Sequence, residues 1–324
     1  MSKRIFSGTQ PTGIIHLGNY FGAIYNWVQL QTEYDCVFSI VDLHALTIYQ
    51  EPGRLSKNIY DLAKIYLAAG LDPKKNIIFR QSDMPEHAEL GWILTCLTPM
   101  AELERMTQYK DKSERHKQNV NAGLFTYPCL MAADILLYDT NVVPVGEDQL
   151  QHVELARVIA KKFNNLYGNV FVLPEGRVNK VSARLKGLDN PEKKMSKSAA
   201  SEYNYIALTD APDLIRKKIK KAVTDSGSDI KFDPKRPALA NLMTIYHLVT
   251  GREAKEIEAK FKGKGYGDFK SELAERVVEF LSPIQKKFAS ISDKQIDSML
   301  QDGAKRAKVL AEKKMKQVRK VIGL

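Results

Sequence analysis

Two short stretches hold residue types suited to handling phosphate. The first, Thr12-Gly13-Ile14-Ile15-His16-Leu17-Gly18-Asn19-Tyr20, sets a histidine and two glycines between a strand-like run and the start of a helical pattern. A glycine there lets a ligand approach the backbone, and the free N–H groups and positive end of the following helix attract an anion. His16 and Asn19 add side-chain donors, although the stretch by itself reads equally well as turn punctuation around a satisfied histidine. The second stretch, Lys193 to Ser198, crowds three lysines and two serines into a short loop. A lysine-rich loop can close on a triphosphate and place ammonium groups where charge builds up in a transition state. Neither GxGxxG nor GxxxxGK[ST] occurs, so the chain carries neither the dinucleotide fingerprint nor a Walker loop.

A third candidate lies in an apolar run. Tyr127, Met131 and Asp134 stand at i, i+4 and i+7, on one face of a predicted helix. Asp134 sits within LMAADILLY, where a carboxylate is costly without a donor. A nearby lysine or arginine is one candidate partner, and a substrate N–H is the other. Cys36, Cys96 and Cys129 are scattered and form no CxxC pair, which fits buried thiols in a reducing compartment and offers no metal spacing.

These residues need elements to position them. Strand-like runs at 4–8, 36–42, 76–82 and 142–146 alternate with helical patterns at 18–33, 54–70, 86–116 and 123–138. Such alternation predicts right-handed crossovers and a parallel sheet covered on both faces, with ligands outside the carboxyl ends of the strands. Beyond residue 200 the pattern is helical, over 211–222, 237–250, 268–289 and 292–322. The expected fold is α/β: a doubly wound, Rossmann-like catalytic domain over 1–200, then an all-helical domain over 201–324 whose last helix is free to pack back on the first. The joint is expected around 190–204, and GKGYG at 263–267 reads as a turn between helices.

Composition narrows the partners. With 324 residues, 44% hydrophobic and 27% charged, the chain is expected to fold as a globular protein of more than one domain. Its start has no apolar run that would make a signal peptide, and CLMAADILLY is about half the length of a membrane span. The expected location is therefore cytoplasmic, without membrane attachment. The net charge is +11, and Gln301 to Leu324 alone carries eight basic against two acidic residues. Ala304, Ala307, Ala311, Met315, Val318 and Ile322 make an apolar stripe there, leaving a basic face. A second basic cluster, IRKKIKK at 215–221, is also helical in pattern. A solvated helix surface accounts for either cluster alone, whereas the pair fits a polyanion such as RNA.

The pairing of HLGN, His16 to Asn19, with KMSKS, Lys194 to Ser198, resembles the class I aminoacyl-tRNA synthetases, whose signatures are HIGH and KMSKS. The resemblance is closer to the bacterial-type tryptophanyl-tRNA synthetases and runs along nearly the whole chain: FSGTQPTG (6–13), IVDLHALT (40–47), ELERMTQYKDKS (102–113), TYPCLMAADILLYDTNVVPVGEDQLQH (126–152), KAVTDS (221–226) and GKGYGDFK (263–270). It implies activation of L-tryptophan by ATP, with release of pyrophosphate, and transfer of the tryptophanyl group to the terminal 2′-hydroxyl of tRNA(Trp) by a homodimer. It implies that Gln10, Pro11, Thr12, His16, Gly18 and Asn19 hold the ATP phosphates and adenosine, with Gly146, Glu147 and Asp148 on the ribose and adenine. Leu185 and the loop residues Lys194, Met195, Ser196, Lys197 and Ser198 complete the nucleotide side. Lys112, Lys194 and Lys197 then neutralise the departing pyrophosphate, with Mg²⁺ bridging phosphate oxygens and no protein metal ligand assigned. For tryptophan the resemblance implies Asp134 as acceptor of the indole N–H, surrounded by Phe6, Gly8, Gln10, Val41, His44, Tyr127, Met131, Val143, Val145 and Gln149.

Two departures stand out. Asn19 replaces the last histidine of the HIGH signature and offers a donor that cannot be protonated, and Ala199-Ala200 follow KMSKS where relatives often have an acid. The rival readings are a tyrosine-specific synthetase, a small-molecule adenylyltransferase and an inactive RNA-binding paralogue.

Overall fold

A computed structural model describes residues 2–51, 53–107, 120–178 and 185–324. Five strands, β1 (Arg4–Thr9), β2 (Asp35–Ile40), β3 (Ile77–Arg80), β4 (Val142–Val145) and β5 (Glu175–Val178), form one sheet in the order β3-β2-β1-β4-β5. Every pairing is parallel, with β1 aligned on β2 from Arg4 opposite Asp35 to Thr9 opposite Ile40. Runs such as Cys36 to Ile40 are buried on both faces, as strands of a helix-covered parallel sheet must be. This is the expected α/β, doubly wound architecture. The fifth strand had no sequence signal: Glu175, Gly176 and Arg177 are exposed, so this edge strand lacks the apolar run by which the other four are recognised.

The helix expected over 86–116 is interrupted. Pro85–Leu97 ends at Thr98, and Pro99 opens a new helix, Met100–Glu104. Proline has no N–H to continue the first helix but suits a helix start. The remainder of that expected helix, from 108 onward, lies outside the described residues. A short helix at Ala254–Lys260 also went unmarked by the sequence pattern.

Packing divides the chain into two compact units: one of Met1–Gly13, Trp27–Asn179 and Ile291–Leu324, the other of Ile14–Asn26 and Lys180–Ser290. This differs from a linear division at residue 200. The HLGN segment packs with the strand-poor second half of the chain, and the last helix, Asp293–Ile322, returns to the sheet.

In the first unit that last helix covers β3. Gly303 lies so close to the strand that an added Cβ would sit 1.8 Å from the Ile78 carbonyl oxygen. Ala307, Ala311, Met315 and Val318 are buried below it, as their spacing predicts. The basic face is less uniform than expected. Lys314 is 4% exposed and donates to the Val170 carbonyl at 2.7 Å while pairing with Asp139. Arg306 donates to the Pro73 carbonyl and Arg319 clasps Glu89, so these three cations anchor the helix to its own unit.

The second unit is helical, with Pro212–Lys221, Pro237–Thr250, Ala254–Lys260 and Tyr266–Ser290. Tyr246, Phe261 and Phe269 pack edge and face at its centre, and Tyr20 and Phe21 lie against Phe280. Lys218 of the IRKKIKK cluster is also internal: it is 1% exposed, with Nζ 2.7 Å from Asp210 and 4.6 Å above the Tyr205 ring. Among the described residues no helix is long and apolar enough to cross a membrane.

Candidate active site

On the sheet side, the loops leaving the carboxyl ends of β2 and β3 are stitched together. Asp42 accepts from the Ser82 N–H at 2.9 Å, and the Gln81 side-chain oxygen accepts from the Leu43 N–H at 3.2 Å. This lacing presents His44 and Gln81 to the helix Ala122–Leu136, which carries Asp134. Asp134 is 1% exposed, and among the described residues three side chains meet it. Gln81 Nε2 donates to Oδ1 at 2.7 Å, His87 Nδ1 lies 2.6 Å from the same oxygen, and His44 Nε2 lies 2.7 Å from Oδ2. No lysine or arginine is among them; the partners are two imidazoles and a carboxamide. Burial alone would raise the Asp134 carboxyl, but its electrostatic interactions and hydrogen bonds with His44, followed by those with His87, hold it below the usual carboxylate range.

The surrounding residues are apolar and aromatic. Phe6 on β1 stacks on Tyr138 with centroids 5.7 Å apart, and Tyr138 places its hydroxyl 2.7 Å from His87 Nε2. Tyr127, on the Asp134 helix, presents its ring edge-on to His44 at 6.2 Å, and its hydroxyl shares a 2.8 Å hydrogen bond with His152 Nε2. Gly8 is required by its neighbour, since a Cβ there would stand 2.7 Å from Val41 Cγ1. Phe6 and Val143 are in the core cluster that lies behind the helix, with Met131 and Val145 packed against it half-buried. Of the expected tryptophan-side residues, His44 meets both Asp134 and Tyr127 directly, Phe6 is linked to Asp134 through Tyr138 and His87, and Gly8 abuts Val41. Gln10 directly follows β1, and Gln149 closes the short helical turn Glu147–Gln149 that follows β4. Gln81, His87, Tyr138 and His152 were not anticipated.

The second unit holds both signatures. The helix that begins at Leu17 passes into a π-helical turn, Tyr20–Ile24, before Tyr25–Leu30. The His16 N–H donates to Asn19 Oδ1 at 3.3 Å, so the exposed Asn19 keeps only its amide NH₂ to offer a ligand. His16 itself is 4% exposed, and its Nδ1 has no hydrogen-bond partner among the described residues. Burial, reinforced by the charges of Lys197 and Lys194, pushes its imidazole down to about 4, which leaves it neutral at pH 7. Gly18 separates this ring from the KMSKS loop: a Cβ on it would lie 3.0 Å from His16 Nδ1 and 3.6 Å from Met195 Cβ.

The loop is pinned through its backbone. The buried Met195 donates its N–H to the Leu185 carbonyl at 2.8 Å, and the Ser196 N–H donates to Asn204 Oδ1 at 2.8 Å. Lys186 and Lys194 form an antiparallel bridge, and Gly187 is forced because a Cβ there would fall 2.2 Å from Asn204 Nδ2. Ser198 donates its N–H to Ser196 Oγ at 3.2 Å. Lys194 and Lys197 therefore flank a fixed core of the loop. Gln10, Pro11, Thr12, Gly146 and Glu147 belong to the first unit. Lys112 and the Asp148 side chain lie outside the described residues.

The model for tRNA synthetases class I (W and Y) matches residues 2–282 of this chain. The chain belongs to that family. A tryptophan–tRNA ligase of Caldanaerobacter subterraneus is 54% identical over 323 residues, spanning 99% of this chain and 98% of the relative. A tryptophanyl-tRNA synthetase structure from Mycoplasma pneumoniae superimposes with a TM-score of 0.92 at 37% identity, over all of this chain and 98% of the other. One from Campylobacter jejuni, complexed with ADP and tryptophan, gives 0.86 at 40% identity over 99% of this chain and 100% of the other. As a class I synthetase, this chain is an enzyme that binds ATP, and its Asp134 cluster and KMSKS loop are the two parts whose chemistry requires explanation.

Proposed function

We propose that the chain is a tryptophan–tRNA ligase that forms tryptophanyl-AMP and then acylates the terminal 2′-hydroxyl of tRNA(Trp). The observation that carries this reading is a buried, ionised Asp134 at the carboxyl ends of the strands, set among Phe6, His44, Tyr127 and Tyr138. A slot made only of apolar walls separates related side chains weakly. A buried acceptor rejects any side chain that cannot supply the missing donor, because the acceptor is then left short of a partner. Tryptophan is the largest amino-acid side chain, and its one polar atom is the indole N–H, a donor only.

In the first step an oxygen of the tryptophan carboxylate bonds to the α-phosphorus of ATP, and the bond from that phosphorus to the bridging oxygen breaks, releasing pyrophosphate. The chain needs no covalent intermediate for this, so its work is positioning and charge stabilisation. Gln10, Pro11, Thr12, Gly18 and the Asn19 amide hold the nucleotide, with Gly146, Glu147 and Asp148 on the ribose and base. Lys194, Lys197 and Lys112 carry positive charge to the departing pyrophosphate, while His16 binds as a neutral imidazole. No protein ligand is assigned to the metal, which is left to the phosphate oxygens. Mg²⁺ bound there would supply further neutralisation of the triphosphate. In the second step the 2′-hydroxyl oxygen attacks the acyl carbon and AMP leaves. The exposed lysines of the two basic helices form the surface for tRNA, and the exposed Trp92 and Met100 mark an apolar face for a second copy in a homodimer. We place the enzyme in the cytoplasm, with residues 201–324 supplying most of the tRNA-binding surface.

ATP–pyrophosphate exchange measured with each of the twenty amino acids tests the reading: exchange is expected with tryptophan alone. Exchange with tyrosine, or with none, overturns it. Asp134→Ala is expected to abolish tryptophan-dependent exchange while nucleotide binding persists.

A further inference from the structure

The Asp134 carboxylate offers about four accepting directions, two on each oxygen. Gln81 and His87 both act on Oδ1, and His44 acts on Oδ2, all within 2.7 Å. Since a carboxylate only accepts, His87 must present Nδ1–H to it. The other nitrogen of a neutral ring is then an acceptor, and the Tyr138 hydroxyl supplies the donor at 2.7 Å. Burial pushes the Tyr138 phenol well above its ordinary value of 10.0, so that proton stays in place. Tyr138 is in turn fixed by Phe6, stacked at 5.7 Å, and by Phe79, edge-on at 5.8 Å. Gln81 is fixed by the Leu43 N–H on its oxygen, which also orients its amide so that nitrogen faces the carboxylate.

We infer that Gln81, His87 and Tyr138 are positioning residues for amino-acid selection: Gln81 and His87 fill both accepting directions of Oδ1, Tyr138 holds the His87 ring that does so, and Oδ2 is thereby committed as the oxygen that reads the substrate. The inference rests on the proposed role of Asp134 toward the indole N–H and deepens it. None of the three touches the indole. They fix the rotation of the carboxylate, so that one oxygen, already held by His44 on one side, faces the ligand with one accepting direction. A carboxylate free to rotate could turn a filled oxygen toward the substrate, and a side chain without a donor would then lose less by comparison. Discrimination between an N–H and no N–H is thus set by groups behind the acid, just after β3, on the helix Pro85–Leu97 and just beyond the helix Ala122–Leu136.

The test compares tryptophan with β-(3-benzothienyl)alanine, in which sulfur replaces the indole N–H at nearly the same shape, by kcat/KM in ATP–pyrophosphate exchange on the full chain. His87→Leu and Gln81→Met are expected to reduce the preference for tryptophan about tenfold or more, through the tryptophan KM, with the ATP KM unchanged. His87→Asn, which retains one N–H near the position of Nδ1, is expected to restore most of it. Tyr138→Phe should lower it less than His87→Leu. A merely structural role would slow both substrates alike and leave the ratio fixed. An unchanged ratio in His87→Leu and Gln81→Met, with Asp134→Asn still reducing it, overturns the positioning role alone. If Asp134→Asn also leaves the ratio unchanged, the indole assignment itself fails. Should His87→Leu not fold, Gln81→Met and Tyr138→Phe decide the same question, since neither removes a ring from the core.

Discussion

The Asp134 cluster of the first unit and the signature loops of the second are built by opposite means. Around Asp134, side chains are hydrogen-bonded to one another inside an apolar bed, with Gln81, His87 and His44 converging on one carboxylate. Around His16, backbone bonds at Met195 and Ser196 hold the loop while its lysines remain at or near the surface. The first arrangement resists rearrangement, because every buried donor has an acceptor that cannot leave without loss. The second keeps its charge available to a ligand that arrives already ionised. Recognition of a neutral ring needs a rigid acceptor, whereas neutralising a triphosphate needs cations that can follow it.

That contrast can be broken or sharpened by experiment, beginning with the largest effect. Lys197→Ala is expected to slow adenylate formation about 100- to 1,000-fold in single-turnover assays. The tryptophan KM should stay within about twofold; a large rise in KM would erase the division of labour. Asp134→Asn is expected to cost about 3 kcal/mol of stability in urea denaturation, because buried donors lose the charge that they surround. Lys194→Ala, at an exposed position, should change stability by less than about 0.5 kcal/mol. Equal losses in the two variants would contradict the contrast.

Acid should separate the two clusters by pH. His16 falls from its ordinary 6.5 to about 4, so the folded state prefers the neutral ring. Its contribution is whole above pH 6.5 and is lost as the pH falls toward 4. Asp134 is depressed below its ordinary 3.8, so its contribution is whole above that value and is lost only under stronger acid. Between pH 6.5 and 4, His16→Gln should remove about 1–3 kcal/mol of the stability slope and Asp134→Asn almost none of it. Measuring unfolding at several pH values checks both. The smallest expected effect belongs to neither cluster: Lys308→Ala breaks an exposed pair with Glu312 on the last helix and should alter stability by less than about 0.5 kcal/mol.

The legibility of this molecule followed the range of its interactions. Four strands and most helices could be read because their periodicity is local, and β5 could not because an exposed edge strand has no apolar run. Asp134 stood out as an acid in an apolar segment, yet its partners lie 47 to 90 positions away in sequence. They meet only because β2 and β3 are neighbours and the Asp134 helix packs on Pro85–Leu97, which no local pattern announces. HLGN and KMSKS were legible as motifs, but Asn204, which ties the loop at Ser196, looked like any polar residue. Lys218 and Lys314 were counted as surface charge from helical spacing, although each is buried and paired with a carboxylate of its own unit. Charge counts register how many cations there are and not where their long side chains end.

The last helix, Asp293–Ile322, has a consequence for timing. The sheet is encoded before residue 179, yet the face of β3 beneath Gly303 is closed only by residues from the far end of the chain. At about 5–20 residues per second, a ribosome needs several seconds or more between emitting β5 and emitting that helix. Throughout the interval the first unit has its strands but not its cover, and Ile78 faces whatever surrounds the nascent chain. A message cut short near residue 290 would encode every candidate catalytic group and still yield a chain whose sheet is open on one side.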